Sequence, residues 1–277
     1  MSADVFVGVV IVSHNNGATV SQTVRSVLQQ KRPAERVVLI DSGSDDPSWL
    51  GEFRDRPNVT VQATRNIGYA AGNNLGWREL KPPDDGFVLF LNPDVLLPAE
   101  LLENILAVMN EPRAQKCAML SPRLHRYDFD AATPTGHVDS TGIFPTWWGA
   151  WRDRREDSPE PHDGLEIVPA LCGAFLFARA KILRAAALAE NEIFDARYFT
   201  YKEDIELSLR VRRAGWTLGL WHGGIAWHGR GWSQRKRMPH SSRLRSACNE
   251  VRLHATYAPM RLPYSLVKWV YTKWFER

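Results

Sequence analysis

Cysteine is scarce in this sequence: 277 residues contain only Cys117, Cys172 and Cys248. They are odd in number, far apart and show no CxxC or other metal-ligand spacing. That excludes a disulfide-built scaffold and a structural zinc centre, and a reducing cytoplasm is the simplest setting. Long apolar runs are missing too. The longest candidate, around Val168 to Ala178, is well short of the ~20 residues of a membrane span. The opening MSADVFVGVVIVSHNN has no basic start and no cleavage site after its apolar run, so no secretory signal is expected there. Internal repeats and low-complexity tracts are also absent. Acids are rare in one region: from His228 to Arg277, 11 Lys/Arg face 2 Asp/Glu, a net of +9. The rest of the chain carries −5 of the total +4. Such a basic tail points to an anionic partner: a membrane surface, nucleic acid or a phosphorylated substrate.

What is present is ordinary globular material, 44% hydrophobic and 24% charged. The length suits one large α/β domain, or one domain with a short appendage, and can bury a core without staples. Val7-Gly8-Val9-Val10-Ile11-Val12 is short, continuous and β-branched, as in a strand covered on both faces. Thr19 to Gln30 puts Val20, Val24, Val27 and Leu28 on one helical face. Further strands are expected at Arg36–Ile40, Asn58–Gln62 and Phe87–Leu91. Helices are expected at Gly72–Leu80 and after Pro98. This alternation predicts a mostly parallel sheet. The second half is less regular, with a loop or hairpin region over 125–165, a strand over Ile167–Arg179, a helix over Glu203–Ala214 and a strand over Trp216–Trp221.

Ligands of such sheets bind beyond the carboxyl ends of the strands. There the sequence places Ser13-His14-Asn15-Asn16, Asp41-Ser42-Gly43-Ser44-Asp45-Asp46 and Asn92-Pro93-Asp94. A carboxylate such as Asp41 can accept the imide N–H of uracil or thymine. The stretch Arg65-Asn66-Ile67-Gly68-Tyr69-Ala70-Ala71-Gly72-Asn73-Asn74 is Gly-rich and leads into a helix whose N-terminal amides suit phosphate. It is not GxGxxG and does not follow the first strand, which disfavours a dinucleotide fold. Asp94 suits a Mg²⁺ that shares its ligands with substrate phosphates. Glu203, Asp204 and Glu206 crowd a helix start after an apolar, aromatic run, where desolvation can raise a carboxylate pKa and make a general base. His222 and His228 lie in Trp221-His-Gly-Gly-Ile-Ala-Trp-His228-Gly-Arg-Gly-Trp232. Taken singly, each feature has an ordinary reading: an Asx turn, a flexible loop, a strand cap, acids against a helix dipole, a structural histidine.

Their order is the informative part. Ser13-His14-Asn15, Asp41-Ser-Gly-Ser-Asp45, Arg65-Asn66-Ile-Gly68 with Gly72-Asn73-Asn74, Asn92-Pro-Asp94, Cys172-Gly-Ala, Tyr201-Lys-Glu203-Asp204-Ile-Glu206-Leu-Ser-Leu-Arg210 and His228 together resemble the family 2 glycosyltransferases, over roughly residues 5–230. The branch it looks most like is the bacterial rhamnosyltransferases. The resemblance implies a GT-A fold: a Rossmann-like, mostly parallel sheet flanked by helices, here with a C-terminal helical appendage. It implies inverting, metal-dependent transfer of a sugar to a glycan or polyprenyl-diphosphate-linked acceptor in surface polysaccharide assembly. Preferred donor is dTDP-rhamnose, with UDP- and GDP-sugars open. It assigns Asp41 to the nucleobase, Asp94 to a divalent metal (Mg²⁺ or Mn²⁺) and the diphosphate, His228 to the metal, and Asp204, beside Glu203, to the catalytic base. Ser13, His14, Asn15, Ser44, Arg65, Asn66, Gly68, Gly72, Asn73 and Asn92 complete the expected donor site. Two departures stand out: Asn92-Pro-Asp94 has one carboxylate where many relatives have Asp-x-Asp, and Lys202 replaces a frequent apolar or aromatic residue.

The expected organisation is a catalytic domain over 1–230, with a nucleotide half to about 120 and an acceptor half from about 121, then a tail over 231–277. In that tail, helical wrapping groups Leu266, Trp269, Val270 and Trp274, with Lys268 and Lys273 elsewhere. Aromatics with flanking cations suit a membrane interface, and equally a helix docked on the domain. No nucleic-acid module is recognised. A cytoplasmic enzyme, peripheral at the inner face of the membrane, is the expected setting. Rival classes are a sugar-phosphate nucleotidyltransferase, which would want a Gly-rich, Arg/Lys-bearing loop after the first strand, and a non-catalytic nucleotide-sugar or glycan-binding module.

Overall fold

The computed structural model describes residues 5–156, 164–229 and 238–276. Four parallel strands form its first half: β1 (Val7–Ser13), β2 (Arg36–Ser42), β3 (Val59–Thr64) and β4 (Phe87–Leu91), in the spatial order β3-β2-β1-β4. All seven residues of β1 are buried, which explains its unbroken apolar run. Val9 and Ile11 join the core on one face, with Val20, Val24 and Val27 of α1 (Gly17–Leu28) and Leu101, Leu102 and Ile105 of α3 (Leu101–Asn110). Val10 and Val12 join the core on the other face, with Trp77 and Leu80 of α2 (Gly68–Leu80) and Leu183 of α4 (Ala180–Ala185). The period-2 geometry of a strand accounts for that split.

The second half extends the same sheet. β11 (Phe175–Arg179) runs antiparallel between β4 and β6 (Cys117–Asp128). β12 (Thr217–His228) runs parallel to β6, and β10 (Leu165–Ile167) closes the edge. β5 (Val95–Leu96) pairs with the end of β12, and β7 (Thr133–Ser140) with the end of β6. A separate hairpin joins β8 (Ile143–Pro145) to β9 (Trp151–Asp153). Helix α5 (Glu203–Arg213) precedes β12, and the chain ends in the packed pair α6 (His240–Tyr257) and α7 (Leu262–Phe275).

Several expectations are corrected here. The strand expected over Ile167–Arg179 is two strands, β10 and β11, separated by a turn through Cys172-Gly173-Ala174. The strand expected to stop at Trp221 continues to His228 past a bulge between Trp221 and Ile225. Helix α2 begins at Gly68 rather than Gly72, so Gly68 to Ala71 of the Gly-rich stretch are helix too. Gly72 is there for close packing: a Cβ would sit 2.6 Å from Val12 Cγ1. The Gly231-Trp232 end of the histidine motif lies outside the described residues.

Candidate active site

The parallel register delivers the strand ends to one rim. Ser13 is opposite Asp41, and Ile11 is opposite Leu91, so Asn92-Pro93-Asp94 emerges beside Val12 and Ser13. The loops there are knitted together. The His14 Nδ1 lies 2.9 Å from the Ser42 carbonyl oxygen, and its Nε2 lies 3.2 Å from the Asn66 amide nitrogen. The Ser42 hydroxyl accepts the Ile67 N–H at 3.0 Å. Asn15, at φ 56°, donates its backbone N–H to the Ser44 hydroxyl, and its side chain pairs with Asp45. Asp41 is buried, with its oxygens accepting the Ser44 N–H at 2.9 Å and the Trp49 indole N–H at 3.3 Å. A cavity of about 550 Å³ opens beside this knot, lined by residues including Asn15, Asp45, Asp46 and Trp49. The buried Ser13 hydroxyl has no hydrogen-bond partner among the described residues.

Ser13, His14, Asn15, Asp41, Ser44, Asn66 and Asn92 therefore share the rim, and Arg65 precedes Asn66 there. Gly68 borders it at φ +80°, where a Cβ would sit 2.6 Å from the Phe199 ring. Gly72 and Asn73 do not join it. They lie within α2, and the Asn73 amide donates to its own helix at the Tyr69 carbonyl.

The second cluster forms where β12 overshoots the sheet. Pairing of His228 with Val95 brings the imidazole to Asp94, with Nε2 3.4 Å from Oδ1. Behind it, Nδ1 lies 2.7 Å from Oδ2 of the fully buried Asp139 on β7. A carboxylate behind a histidine fixes its tautomer and ring orientation, the usual outer support of a metal-ligating imidazole. Burial works against a charged imidazolium, but the Asp94 charge and the Asp139 hydrogen bond outweigh it, and the pKa is pushed up to about 9. Among the described residues no three His, Cys, Asp or Glu side chains are grouped to hold a metal. One histidine nitrogen and one carboxylate oxygen nonetheless suit a cation that takes its other ligands from phosphate and water.

The third cluster is the start of α5. Its three acids have different surroundings. Glu206 is spoken for: Arg210 grips it with two hydrogen bonds of 2.9 and 2.8 Å, and the Tyr257 hydroxyl donates to it at 2.7 Å. Asp204 is half-buried, and its Oδ2 accepts the Gly173 N–H at 2.8 Å while Oδ1 accepts the Ile205 N–H at 2.8 Å. Glu203 is buried, and its Oε2 has no hydrogen-bond partner among the described residues. Desolvation, then the neighbouring Asp204 charge, pushes the Glu203 pKa up to about 8. Desolvation also raises Asp204, with a further push from Asp153 on β9, while its backbone donors and Lys202 pull it down.

The segment leading into this pair is strained. Phe199, Tyr201 and Lys202 all have positive φ, at 61°, 72° and 69°, an arrangement that survives only where surroundings enforce it. The enforcing residue is Asn249 on α6, which is buried. Its amide nitrogen lies 2.8 to 2.9 Å from the carbonyl oxygens of Tyr198, Thr200 and Tyr201. Glu250 beside it pairs with Lys202 at 3.7 Å and with Lys268 of α7. Sequence reasoning missed Asp139, Asp153 and Asn249. The only local sign of the last was a polar Asn-Glu pair within a basic helix.

The turn at Cys172-Gly173-Ala174 joins the clusters. Its Ala174 carbonyl accepts the Asn92 N–H at 3.0 Å, and its Gly173 N–H holds Asp204. A polar rim at the strand ends, an Asp-His pair and a desolvated carboxylate pair on a mixed, mostly parallel sheet are the arrangement of a GT-A-type glycosyltransferase. The chain belongs to glycosyl transferase family 2, whose model matches residues 8–185. Over 231 residues it is 28% identical to the N-acetylglucosaminyl-diphospho-decaprenol L-rhamnosyltransferase of Mycobacterium tuberculosis, covering 75% of this chain and 71% of that one. Solved structures share the fold at lower identity. GalNAc-T7 with UDP, GalNAc and Mn²⁺ aligns with a TM-score of 0.65 and 18% identity, over 80% of this chain and 43% of that one. The mannosyltransferase PcManGT of Pyrobaculum calidifontis, with GDP-Man and Mn²⁺, aligns at 0.60 and 17% over 97% and 70%. TarS of S. aureus with UDP aligns at 0.55 and 14% over 98% and 73%.

Proposed function

We propose that this glycosyltransferase transfers a sugar, with rhamnose preferred, from a nucleoside-diphosphate donor to a hydroxyl of a polyprenyl-diphosphate-linked glycan, with inversion. Similarity to the mycobacterial rhamnosyltransferase supports the donor sugar and the lipid-linked acceptor. The carrying observation is the Cys172–Ala174 turn, which ties Asn92 and Asp204 into one site. In this reading residues 1–120 hold the nucleotide, residues 121–230 face the acceptor, and 231–277 form an appendage whose helix α6 braces the segment before Glu203. The loop organised by Asp41, with Ser13, His14, Asn15, Ser44, Arg65 and Asn66, receives the nucleoside. Asp94 and His228 fit a divalent cation, Mg²⁺ or Mn²⁺, which when bound would neutralise charge growing on the departing diphosphate. The enzyme then works at the cytoplasmic face of the membrane, although no helix among the described residues is long and apolar enough to cross it.

Asp204 is the base. Two backbone donors stabilise its anion, and its partial exposure lets an acceptor hydroxyl reach it. It takes the hydroxyl proton as the oxygen attacks the anomeric carbon opposite the diphosphate. Glu203, buried with Oε2 unpartnered among the described residues, keeps its proton while Asp204 is ionised, as expected of a coupled pair.

Incubation with dTDP-rhamnose, UDP-sugars and GDP-sugars, a polyprenyl-diphosphate-N-acetylglucosamine acceptor and Mn²⁺ tests the reading. Product is expected with dTDP-rhamnose. Asp204→Asn should abolish transfer while still binding donor in a thermal-shift assay. Normal turnover in that variant would overturn the base assignment.

A further inference from the structure

Helix α7 is amphipathic the wrong way round for a helix docked on a protein. The residues it buries are Ser265 and Thr272. The residues it exposes include Leu266, Val267, Val270, Tyr271, Trp274 and Phe275, the last 72% exposed. At 100° per residue these six positions form one continuous stripe along a 14-residue helix. A core-facing helix would hide that stripe and present the serine and threonine to water. Here the polar side faces the protein: the His240 ring nitrogen lies 2.9 Å from the Thr272 carbonyl oxygen, and Lys268 pairs with Glu250.

A second exposed apolar group adjoins the start of the helix. The turn between β8 and β9 carries Trp147, 88% exposed, and Trp148. Its Gly149 packs against Arg261, and the His254 ring nitrogen lies 3.1 Å from the Gly149 carbonyl oxygen. Met260, one residue before Arg261, is 94% exposed. Both groups are attended by cations. Lys273 lies 5.0 Å from the Trp269 ring and 5.1 Å from the Trp274 ring, and Arg152 lies 5.4 Å from the Trp148 ring.

We infer that the outward face of α7, with the Trp147-Trp148 turn and Met260 beside its start, is a docking surface for an anionic lipid bilayer. Three observations select a bilayer over a protein. The aromatic residues are Trp, Tyr and Phe accompanied by Lys and Arg, the pairing suited to a headgroup boundary. The cations beside the exposed aromatics are Lys273, Arg152 and Arg261, while both acids of residues 238–276 are paired, Glu250 with Lys202 and Lys268 and Glu276 with Arg243, so an anionic surface is the complementary one. A two-fold dimer through this face would set like charges against each other, because each copy presents the same patch. At 14 residues α7 is about 21 Å long, too short to span the bilayer, so it lies in the interface plane. The placement also serves the proposed reaction and in part rests on it: a sugar on a membrane-embedded lipid is reached only by an enzyme held at that membrane.

Co-sedimentation of the full chain with vesicles tests this. Vesicles containing phosphatidylglycerol should pellet the protein, and phosphatidylcholine vesicles should pellet much less. The double substitution Trp274→Ser with Phe275→Ser should weaken binding about tenfold or more. Both side chains are exposed, so melting temperature and transfer to a short water-soluble acceptor should be unchanged. Transfer to an acceptor embedded in vesicles should fall. Failure to bind phosphatidylglycerol vesicles would overturn the inference, as would binding indifferent to the double substitution. So would a dimer in analytical ultracentrifugation that the substitution dissolves, since a second copy would then own the face. Vesicle binding without any sugar transfer would uphold the surface and sink the proposed reaction. Transfer to soluble acceptor without vesicle binding would do the reverse.

Discussion

Glu203 and Asp204 are adjacent in sequence yet meet different surroundings. Asp204 has two backbone N–H donors, and Glu203 has a buried Oε2 with no partner among the described residues. Asp153 raises the Asp204 pKa through its negative charge. Asp153→Asn removes that charge and favours the Asp204 anion. The acidic limb of kcat/KM against pH should therefore move to lower pH, and a limb that stays in place or moves upward would refute the assignment. Glu203 also has a stability consequence. Its folded pKa, about 8, exceeds the ordinary 4.5, so its favourable contribution is complete below about pH 4.5 and is lost as pH rises through about 8. Glu203→Gln should leave stability unchanged in acid. It should raise stability above pH 8, on the order of 1–3 kcal/mol, because no buried charge then forms. Urea denaturation at the two pH values is the check.

At the scale of elements, the segment leading into the proposed base is held by helix α6, which lies beyond the stretch matched by the family model. Asn249 gathers three carbonyls of the strained segment before α5. Asn249→Ala should leave those acceptors unmet, at a cost of about 1–3 kcal/mol, and should free Phe199 to Lys202 to relax. A kcat at least about tenfold lower, with donor KM little changed, is the expected result. Equal losses with every donor and acceptor, tracking the loss of folded protein, would mean that Asn249 is only structural. The elements themselves were unevenly legible. β1, β2 and β4 announced themselves as unbroken apolar runs because both faces of the sheet are covered. β7 left no such trace, since most of its residues are exposed and polar, yet it carries Asp139 to His228.

On the scale of the whole molecule, the sheet gathers loops far apart in sequence at one rim, and the C-terminal pair sits across the strained segment with its apolar stripe outward. In the proposed arrangement the basic tail, already visible in composition, faces an anionic surface while the mildly acidic body holds the reaction. The expectation left two roles open for the tail, docking on the domain or meeting a membrane. The two helices differ: α6 buries Asn249, Glu250, Leu253 and His254 against the domain, whereas α7 exposes its aromatics, the face proposed above for a bilayer. The vesicle assay belongs to this scale, because it probes a surface made by two segments over 100 residues apart.

By itself the sequence determined the class of fold and the order of its polar clusters, because strand periodicity and strand-end residues are local properties of the chain. It therefore indicated Asp94, His228 and the Glu203-Asp204 pair as candidates. Only the tertiary structure decided how they are supported: Asp139 behind His228, Gly173 on Asp204 and Asn249 on the strained segment. Those are contacts between residues tens to nearly ninety positions apart, set by register and packing, and no local pattern encodes them. The same reason explains Gly72, which a local reading placed at a helix start among the donor-binding residues and which the structure places inside α2, packed against Val12.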